Sequence, residues 1–459
     1  MVKPVLEPEF SPAILAIRQF HADVAKCPTK QHLIVAVERA NGYIYRREFD
    51  IFPDGVDDAR NALITERLIK SILWIIGGFK IYIAGSHVVY QTIKDYYRTG
   101  GLREFDYDFW STTFEREVEV VECTLENIPQ EVASSEAAGG HLEGKRIGFD
   151  AGGSDIKVSA VVDGKVISSE EIVWLPKLNE DINYHYEHIY QAMKVGVERL
   201  GGDVDAIGIS TAGVIVTDRP MVSSIFIKVP KKDFELVKYA YVNCVKRLAK
   251  ELGHPIPYVV ANDGDVTALA GAVDLKDNCV LGISMGTSEA GGYVDEHGNL
   301  PGWFSELAFV PLDFNPNAEV DEWSKDYGVG CKYLSQDAVI KLVGRAGIEV
   351  DPKLTLAEKL SFVQSLMEKD DPRAKKIFET IGVYLAYALA FYAEFYTIKH
   401  VLLLGRVTSG KGGDVILDVA KKTLASDFPE YAHFHLTMPS ESMRRVGQSI
   451  AAASLPKLR

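Results

Sequence analysis

The sequence predicts an α/β protein of two related lobes, preceded by a further, smaller α/β domain. Three observations predict it. An apolar strand delivers Asp150 to the tight turn Gly152-Gly153-Ser154, and a second strand returns through Lys157, Val158, Ala160 and Val161. The same device recurs after residue 279, where a strand, the turn Gly286-Thr287-Ser288 and a returning strand follow one another. Between Asn127 and Lys145 lies a run poor in large apolar side chains and rich in Ser, Ala, Gly and Glu, which reads as a linker. The expected organisation is an N-terminal α/β domain over 1–127, a linker over 128–144, a first lobe over 145–275 and a second over 276–459. One mixed α/β unit built twice implies two lobes with a ligand cleft between them.

Each element follows from its local pattern. Residues 33–37 and 43–49 alternate as strands and meet at Asn41-Gly42, a turn signal. Leu63, Leu68, Ile69, Ile72 and Ile76 give 59–76 a helical period. A strand over 80–84, a helix after Gly85 and a strand over 118–121 complete the first domain. Its stretch Ile81 to Val89 resembles Val401 to Val407, so the domain reads either as a divergent relative of one lobe or as a coincidental α/β pattern. Its expected role is dimerisation or covering the cleft. In the first lobe, 146–173 supplies two or three strands and 183–200 a helix. A strand over 206–210 ends at Thr211-Ala212-Gly213, and a helix covers 234–252. A strand over 258–261 ends at Asn262-Asp263, and a small-residue helix follows over 266–272. The second lobe has strands at 279–284 and 291–294, a long helix over 372–396 and a strand over 400–404 ending at Gly405.

Composition narrows the function. The formal net charge of -14 over 459 residues argues against a general nucleic-acid or anionic-membrane surface, and no basic recognition helix stands out. Met1 to Phe10 carries Lys3, Pro4, Glu7, Pro8 and Glu9 rather than an apolar run, so no signal peptide is expected. The most apolar stretch, 72–83, is interrupted by Gly77, Gly78 and Lys80 and is too short to span a bilayer. Cys27, Cys123, Cys244, Cys279 and Cys331 are scattered without a Cys-x-x-Cys pair, which fits reduced, packed thiols in a cytoplasm.

The turns carry the chemistry. Glycines let backbone amides approach a phosphate, and successive N–H groups form an anion-binding concavity. Asp150 at the strand end suits the Mg²⁺ that accompanies nucleotide phosphates. A strand that turns straight back into a strand is not the strand-to-helix phosphate loop of P-loop or dinucleotide-binding proteins. Taken alone, it is equally an ordinary Gly-rich hairpin. The second turn places amides near Gly286 and the Thr287 hydroxyl where a transferable phosphate would lie. Between the turns, Asp263 stands at the C-terminal end of an apolar strand, where α/β sheets put their ligands. It can accept the proton of an alcohol held by Asn262. The same Asn-Asp-Gly-Asp also serves as a helix cap with Asp265 as N-cap.

Asp150-Ala-Gly-Gly-Ser, Gly208-Ile-Ser-Thr-Ala-Gly213, Asn262-Asp263 and Gly286-Thr287-Ser288 resemble, in order and spacing, the ROK family of repressors and sugar kinases. That family has the duplicated, ribonuclease H-like fold of the hexokinase/actin-like superfamily. The resemblance runs from about Lys145 to the C-terminus. It implies phosphorylation of a sugar or polyol hydroxyl by ATP, with Asp263 as general base and Asn262, Glu306, Thr211 and Gly213 on the substrate. It implies phosphate contacts from Gly152, Gly153, Ser154, Gly286, Thr287 and Ser288. Gly405, Arg406 and Gly410 fall on the adenosine side, and Asp150 near Mg²⁺ through water. Two departures stand out. The family's sugar- and zinc-binding His is replaced by Phe309, and its Cys-rich zinc loop is reduced to Gly330-Cys331-Lys332-Tyr333 without the sugar-binding Glu. No zinc is therefore expected. Trp303 stands as a sugar platform or a core residue. The alternative reading is a catalytically weak or inactive sugar- or nucleotide-binding sensor on the same fold. A dehydrogenase is excluded, because no Gly-x-Gly-x-x-Gly joins a strand to a helix.

Overall fold

The structure, a computed structural model, describes residues 1–133, 139–440 and 447–458. Part of the expected linker, 134–138, lies outside the described residues. The chain forms two compact units: Met1–Ser134 with Ile283–Gly291 and Ser305–Thr437, and Ser135–Gly282 with Gly292–Phe304 and Met438–Arg459. The N-terminal residues therefore share a unit with much of the second lobe.

The N-terminal part of the first unit runs α1 (Ala13–Lys26), β1 (Gln31–Glu38), β2 (Ile44–Ile51), α2 (Asp58–Ile75), β3 (Lys80–Ala84), α3 (His87–Tyr96), α4 (Glu104–Phe114) and β4 (Glu119–Cys123). Asp57 caps α2 by accepting from Arg60 N at 3.3 Å, and Ser86 caps α3. Asn41 and Gly42 take the left-handed conformation that the turn between β1 and β2 requires. Helix α4, Glu-Phe-Asp-Tyr-Asp-Phe-Trp-Ser-Thr-Thr-Phe, escapes sequence reading because aromatic and β-branched residues are weak helix formers. Its rings pack instead into an aromatic cluster with Trp74.

The second unit holds the first lobe. Strands β5 (Lys145–Ala151), β6 (Asp155–Val162) and β7 (Lys165–Val173) form an antiparallel meander, followed by α5 (Ile182–Arg199) and β8 (Ala206–Thr211). A small hairpin, β9 (Val214–Val216) and β10 (Arg219–Val222), leads to α6 (Phe234–Val237), α7 (Ala240–Leu252), β11 (Tyr258–Asn262) and α8 (Asp263–Leu275). The expected helix over 234–252 is thus broken near Tyr239. The sheet order is β11-β8-β5-β6-β7, with β8 parallel to both β5 and β11. Ile147, Phe149, Ile207 and Ile209 from the strands pack with Ile189, Met193, Tyr241 and Val245 from the helices.

The remaining elements are β12 (Val280–Met285), β13 (Glu289–Val294), α9 (Gln336–Arg345), α10 (Leu356–Glu368), α11 (Pro372–Tyr392), β14 (His400–Leu404), α12 (Lys411–Asp427), β15 (His435–Thr437) and α13 (Gln448–Ala453). Helix α13 lies on the first lobe's sheet, where Gly148 and Gly208 leave room: a Cβ at either would run into a carbonyl of α13. The second lobe's sheet, β13-β12-β14-β15, has the order of β6-β5-β8-β11 without a counterpart of β7. The duplication read from the sequence is therefore present in the topology. The N-terminal sheet, β2-β1-β3-β4, has the same strand order but differs in one direction. Its first strand pairs antiparallel with β3, whereas the lobe's first strand β5 pairs parallel with β8. The likeness of 81–89 to 401–407 falls in both places on a strand that leads toward a helix, β3 to α3 and β14 to α12.

Helix α2 buries its own charges. Glu66, Arg67 and Lys70 meet Arg103, Asp106 and Asp326 in one network whose members are all at most 3% exposed. Arg67 donates to both Asp326 oxygens at 2.8 and 2.9 Å, and Lys70 donates to Asp106 at 2.8 Å. Three cations face three carboxylates, the balance that lets ions leave water.

Candidate functional site

Strands β5, β8 and β11 run parallel and end together in the second unit. Asp150 is in register with Ser210, and Ser210 with Ala261, one position before Asn262. The Ser210 hydroxyl donates to Asp150 Oδ1 at 2.7 Å. Burial raises the Asp150 carboxyl, against the opposing influence of Ser210 and the Lys157 charge. Asp263 is the first residue of α8. Burial, and next the negative Asp150, push its carboxyl up to about 6. Asn262 is fixed at both ends: its Oδ1 accepts from Gly264 N at 2.7 Å and its Nδ2 donates to Gly213 O at 2.8 Å. That bond makes Asn262, not Asp265, the N-cap, so α8 starts three residues before the expected Val266. Asp265 instead accepts from Tyr293 N at 3.2 Å. Gly213 has φ +124°, and a Cβ there would strike Val222 O. Thr211 departs from its expected role. Its hydroxyl is fully buried and meets Tyr241 OH at 2.7 Å, so it packs the strand end rather than facing a substrate.

The first Gly-rich turn is pinned from one side. Trp174 donates from its backbone N to Ser154 O at 3.1 Å and from Nε1 to Gly152 O at 2.8 Å. Gly152 N donates to Asp155 O at 2.9 Å, and the Ser154 hydroxyl to Asp155 Oδ1 at 2.8 Å. Gly153 and Ser154 remain exposed. The Lys177 ammonium lies 3.2 Å from where a Gly153 Cβ would stand, a cation beside the turn that sequence reading misses.

The other expected residues belong to the first unit. Gly286 N donates to Ser288 O at 3.0 Å, and Gln336 N donates to Gly286 O at 2.9 Å. Thr287 and Ser288 are exposed. Gly405, at φ +95°, lies against the backbone of Met285, where no side chain fits. Its turn therefore stands beside Gly286, with Arg406 exposed and Gly410 as the N-cap of α12. Glu306 lies elsewhere in this unit, half-buried, with its backbone N donating to Trp74 O at 2.9 Å.

Next to Ser288 sits a residue the sequence does not distinguish. Glu289 is 2% exposed; Tyr392 OH donates to its Oε1 at 2.8 Å, while Oε2 has no partner. Burial pushes its carboxyl up to about 8. The folded state therefore holds a proton that the unfolded chain releases near the ordinary carboxylate value. Stability is full below that value and is lost as pH climbs toward 8. The loss is on the order of 3–5 kcal/mol across the window. Glu289→Gln removes this titration. Chemical denaturation at pH 5 and pH 8.5 is expected to show the wild type losing stability relative to the variant. Parallel curves would contradict a buried proton on Glu289.

A zinc ion does not fit the residues present. The Phe309 ring offers no donor atom and packs on Trp74 and Phe105 at centroid distances of 4.4 and 5.4 Å. Cys331 is buried with its Sγ 3.6 Å from Asp321 Oδ1. Among the described residues no group of three or more His, Cys, Asp or Glu is arranged to hold a metal, and no helix is long and apolar enough to cross a membrane.

No protein-family model matches the chain, and no curated protein matches it significantly. Solved structures do. A ROK hexokinase from Thermus thermophilus is similar over 68% of this chain and 97% of its own, with 18% identity and a TM-score of 0.52. A ROK-family transcriptional regulator, described as a homologue of the E. coli MLC protein, is similar over 68% of this chain and 79% of its own, with 16% identity and a TM-score of 0.51. The chain thus has the two-lobed, hexokinase-like fold of ROK proteins, with a further part of the chain outside the match.

Proposed function

We propose that the chain is an ATP-dependent carbohydrate kinase, transferring the γ-phosphoryl group of ATP to a sugar or polyol hydroxyl. The observation that carries this reading is that Asp150 and Asp263 stand at the ends of β5 and β11, the strands on either side of β8, with Asp263 raised to about 6 by burial and the Asp150 charge. A carboxylate so placed is mostly ionised at neutral pH yet more basic than an ordinary one, the property a general base needs. Asn262, locked between Gly264 N and Gly213 O, orients the acceptor hydroxyl. Asp263 takes its proton as the oxygen attacks phosphorus. Asp150, a hard oxygen donor steadied by Ser210, suits Mg²⁺ held through water. When bound, that ion neutralises charge on the phosphate oxygens. Gly152, Gly153, Ser154, Gly286, Thr287 and Ser288 are the proposed phosphate contacts. Gly405, Arg406 and Gly410 take the adenosine side. Glu306 and Gly213 complete the acceptor contacts. No nucleic acid or membrane enters this reading; a cytoplasmic location and a homodimer are proposed with it.

A second reading, a sugar- or nucleotide-binding sensor without turnover, draws on Phe309, which supplies no polar group to an acceptor, and on the fold's occurrence in a transcriptional regulator. ADP release from MgATP against hexoses, amino sugars and polyols separates the two. Turnover with one acceptor is the expected result. Silence across the panel, with MgATP or a sugar still raising Tm, would replace the kinase by the sensor.

A further inference from the structure

The segment that carries Glu306 is built from outside. Helix α2 ends at Ile75, so the carbonyls of Trp74 and Ile75 lie among the last four, which have no partner within the helix. Both accept hydrogen bonds from the Glu306 segment: Ser305 N donates to Ile75 O at 2.8 Å and Glu306 N to Trp74 O at 2.9 Å. Ser305 has φ +50°, a left-handed conformation that a non-glycine residue adopts only when held. It is held at every polar atom. Tyr396 OH donates to its hydroxyl at 3.0 Å, and its carbonyl accepts from Gly291 N at 3.0 Å and Leu307 N at 2.9 Å.

Three residues beyond Glu306, the Phe309 ring sits 4.4 Å from Trp74, whose own ring lies 4.7 Å from Phe109 and 5.0 Å from Trp110. Trp74 Nε1 donates to Asp106, and Asp106 belongs to the buried ion network that also grips Asp326. Phe309 and the loop before Cys331 are therefore both tied to α2 and α4.

We infer that the N-terminal part of the chain is an acceptor-positioning clamp, in which the α2 C-terminus and the Trp74 aromatic cluster fix the backbone that carries Glu306. Trp74 and Phe309 are positioning residues; they act through the backbone of Ser305 and Glu306. A rigid support of this kind sets how well an acceptor is held and leaves the nucleotide end untouched. The inference rests on the kinase reading for the word acceptor, while the clamp itself does not.

The experiment uses the full chain carrying Phe309→Leu, which removes the ring but keeps an apolar side chain, and Phe309→Tyr, which restores the ring. Hydrogen exchange followed by mass spectrometry is expected to quicken about 10-fold at 305–309 in the Leu variant, with 283–288 and 400–408 unchanged. With the panel sugar that the wild type turns over, KM for that sugar is expected to rise about 10-fold. KM for MgATP should stay within about twofold and the Tyr variant should behave as wild type. Unchanged exchange at 305–309 would overturn the clamp. Faster exchange with both KM values rising together would overturn its selectivity for the acceptor. A wild type that turns over no sugar, D-glucose included, but still shows the exchange response would defeat the kinase reading and the acceptor role, leaving a structural clamp.

Discussion

Asp263→Asn is expected to lower kcat/KM for phosphoryl transfer by about 10²–10⁴-fold while leaving MgADP binding and Tm near the wild-type values. The substitution keeps the shape and the oxygen that accepts from Gly264 N at 3.0 Å, so α8 should still start in place. What disappears is the basic lone pair that takes a proton at that strand end as the acceptor attacks. The wild-type pH profile carries the sign. Asp263 works ionised, and burial with the Asp150 charge puts its carboxyl at about 6, so kcat/KM should rise through that pH and level above it. The limb belongs to the coupled pair rather than to Asp263 alone. Replacing Asp150 with Asn removes the second of the two causes and should move the limb downward. Two results would sink the assignment: an Asp263→Asn enzyme that keeps more than about a tenth of the wild-type rate, or a limb that ignores Asp150.

The parts of this site that are legible in the sequence are the parts made by consecutive residues. Asp150 with its Gly-Gly-Ser turn, and Asn262-Asp263 after an apolar strand, announce themselves because strand, turn and ligand lie within a few positions of one another. Parallel pairing of β5, β8 and β11, which brings those carboxylates together, follows from the repeated strand–helix alternation. Thr211 misleads because its partner, Tyr241, is 30 residues away and only packing reveals it. The start of α8 is ambiguous in the text because Asn262 and Asp265 are equally good caps, and the choice is made by Gly213 O and Tyr293 N. Glu289 reads as one more polar loop residue until Tyr392 closes over it. The antiparallel pairing of β1 with β3 is not legible either, because alternation reveals a strand but never its direction. Phe309 stands out as a departure, yet the rings it packs on, Trp74 of α2 and Phe105 of α4, are written in another part of the chain.

Asp326→Asn is expected to cost about 3–5 kcal/mol of stability. Asp326 accepts from Arg67 at 2.8 and 2.9 Å, and lies 2.9 Å from Arg103 and 3.3 Å from Lys70. Removing its charge leaves three cations facing Glu66 and Asp106 alone, in a region at most 3% exposed. Water cannot reach in to compensate, and a cation stripped of its counter-ion there carries its desolvation cost unrelieved. The titration runs opposite to that of Glu289. Burial by itself would raise the Asp326 carboxyl, but the Lys70, Arg67 and Arg103 charges overcome it and hold the group well below the usual carboxylate range. Its contribution is present above the ordinary Asp value and is lost as pH falls through and below it, so the variant should lack that part of the wild type's acid sensitivity. Adding Arg67→Met to Asp326→Asn should restore part of the loss, because the double variant again has as many cations as carboxylates. Since Asp326 and Asp106 anchor the same helices that hold Glu306, the single variant should also weaken the acceptor more than MgATP. A loss below about 0.5 kcal/mol, or no recovery in the double variant, would mean that the rings alone hold this part of the molecule together.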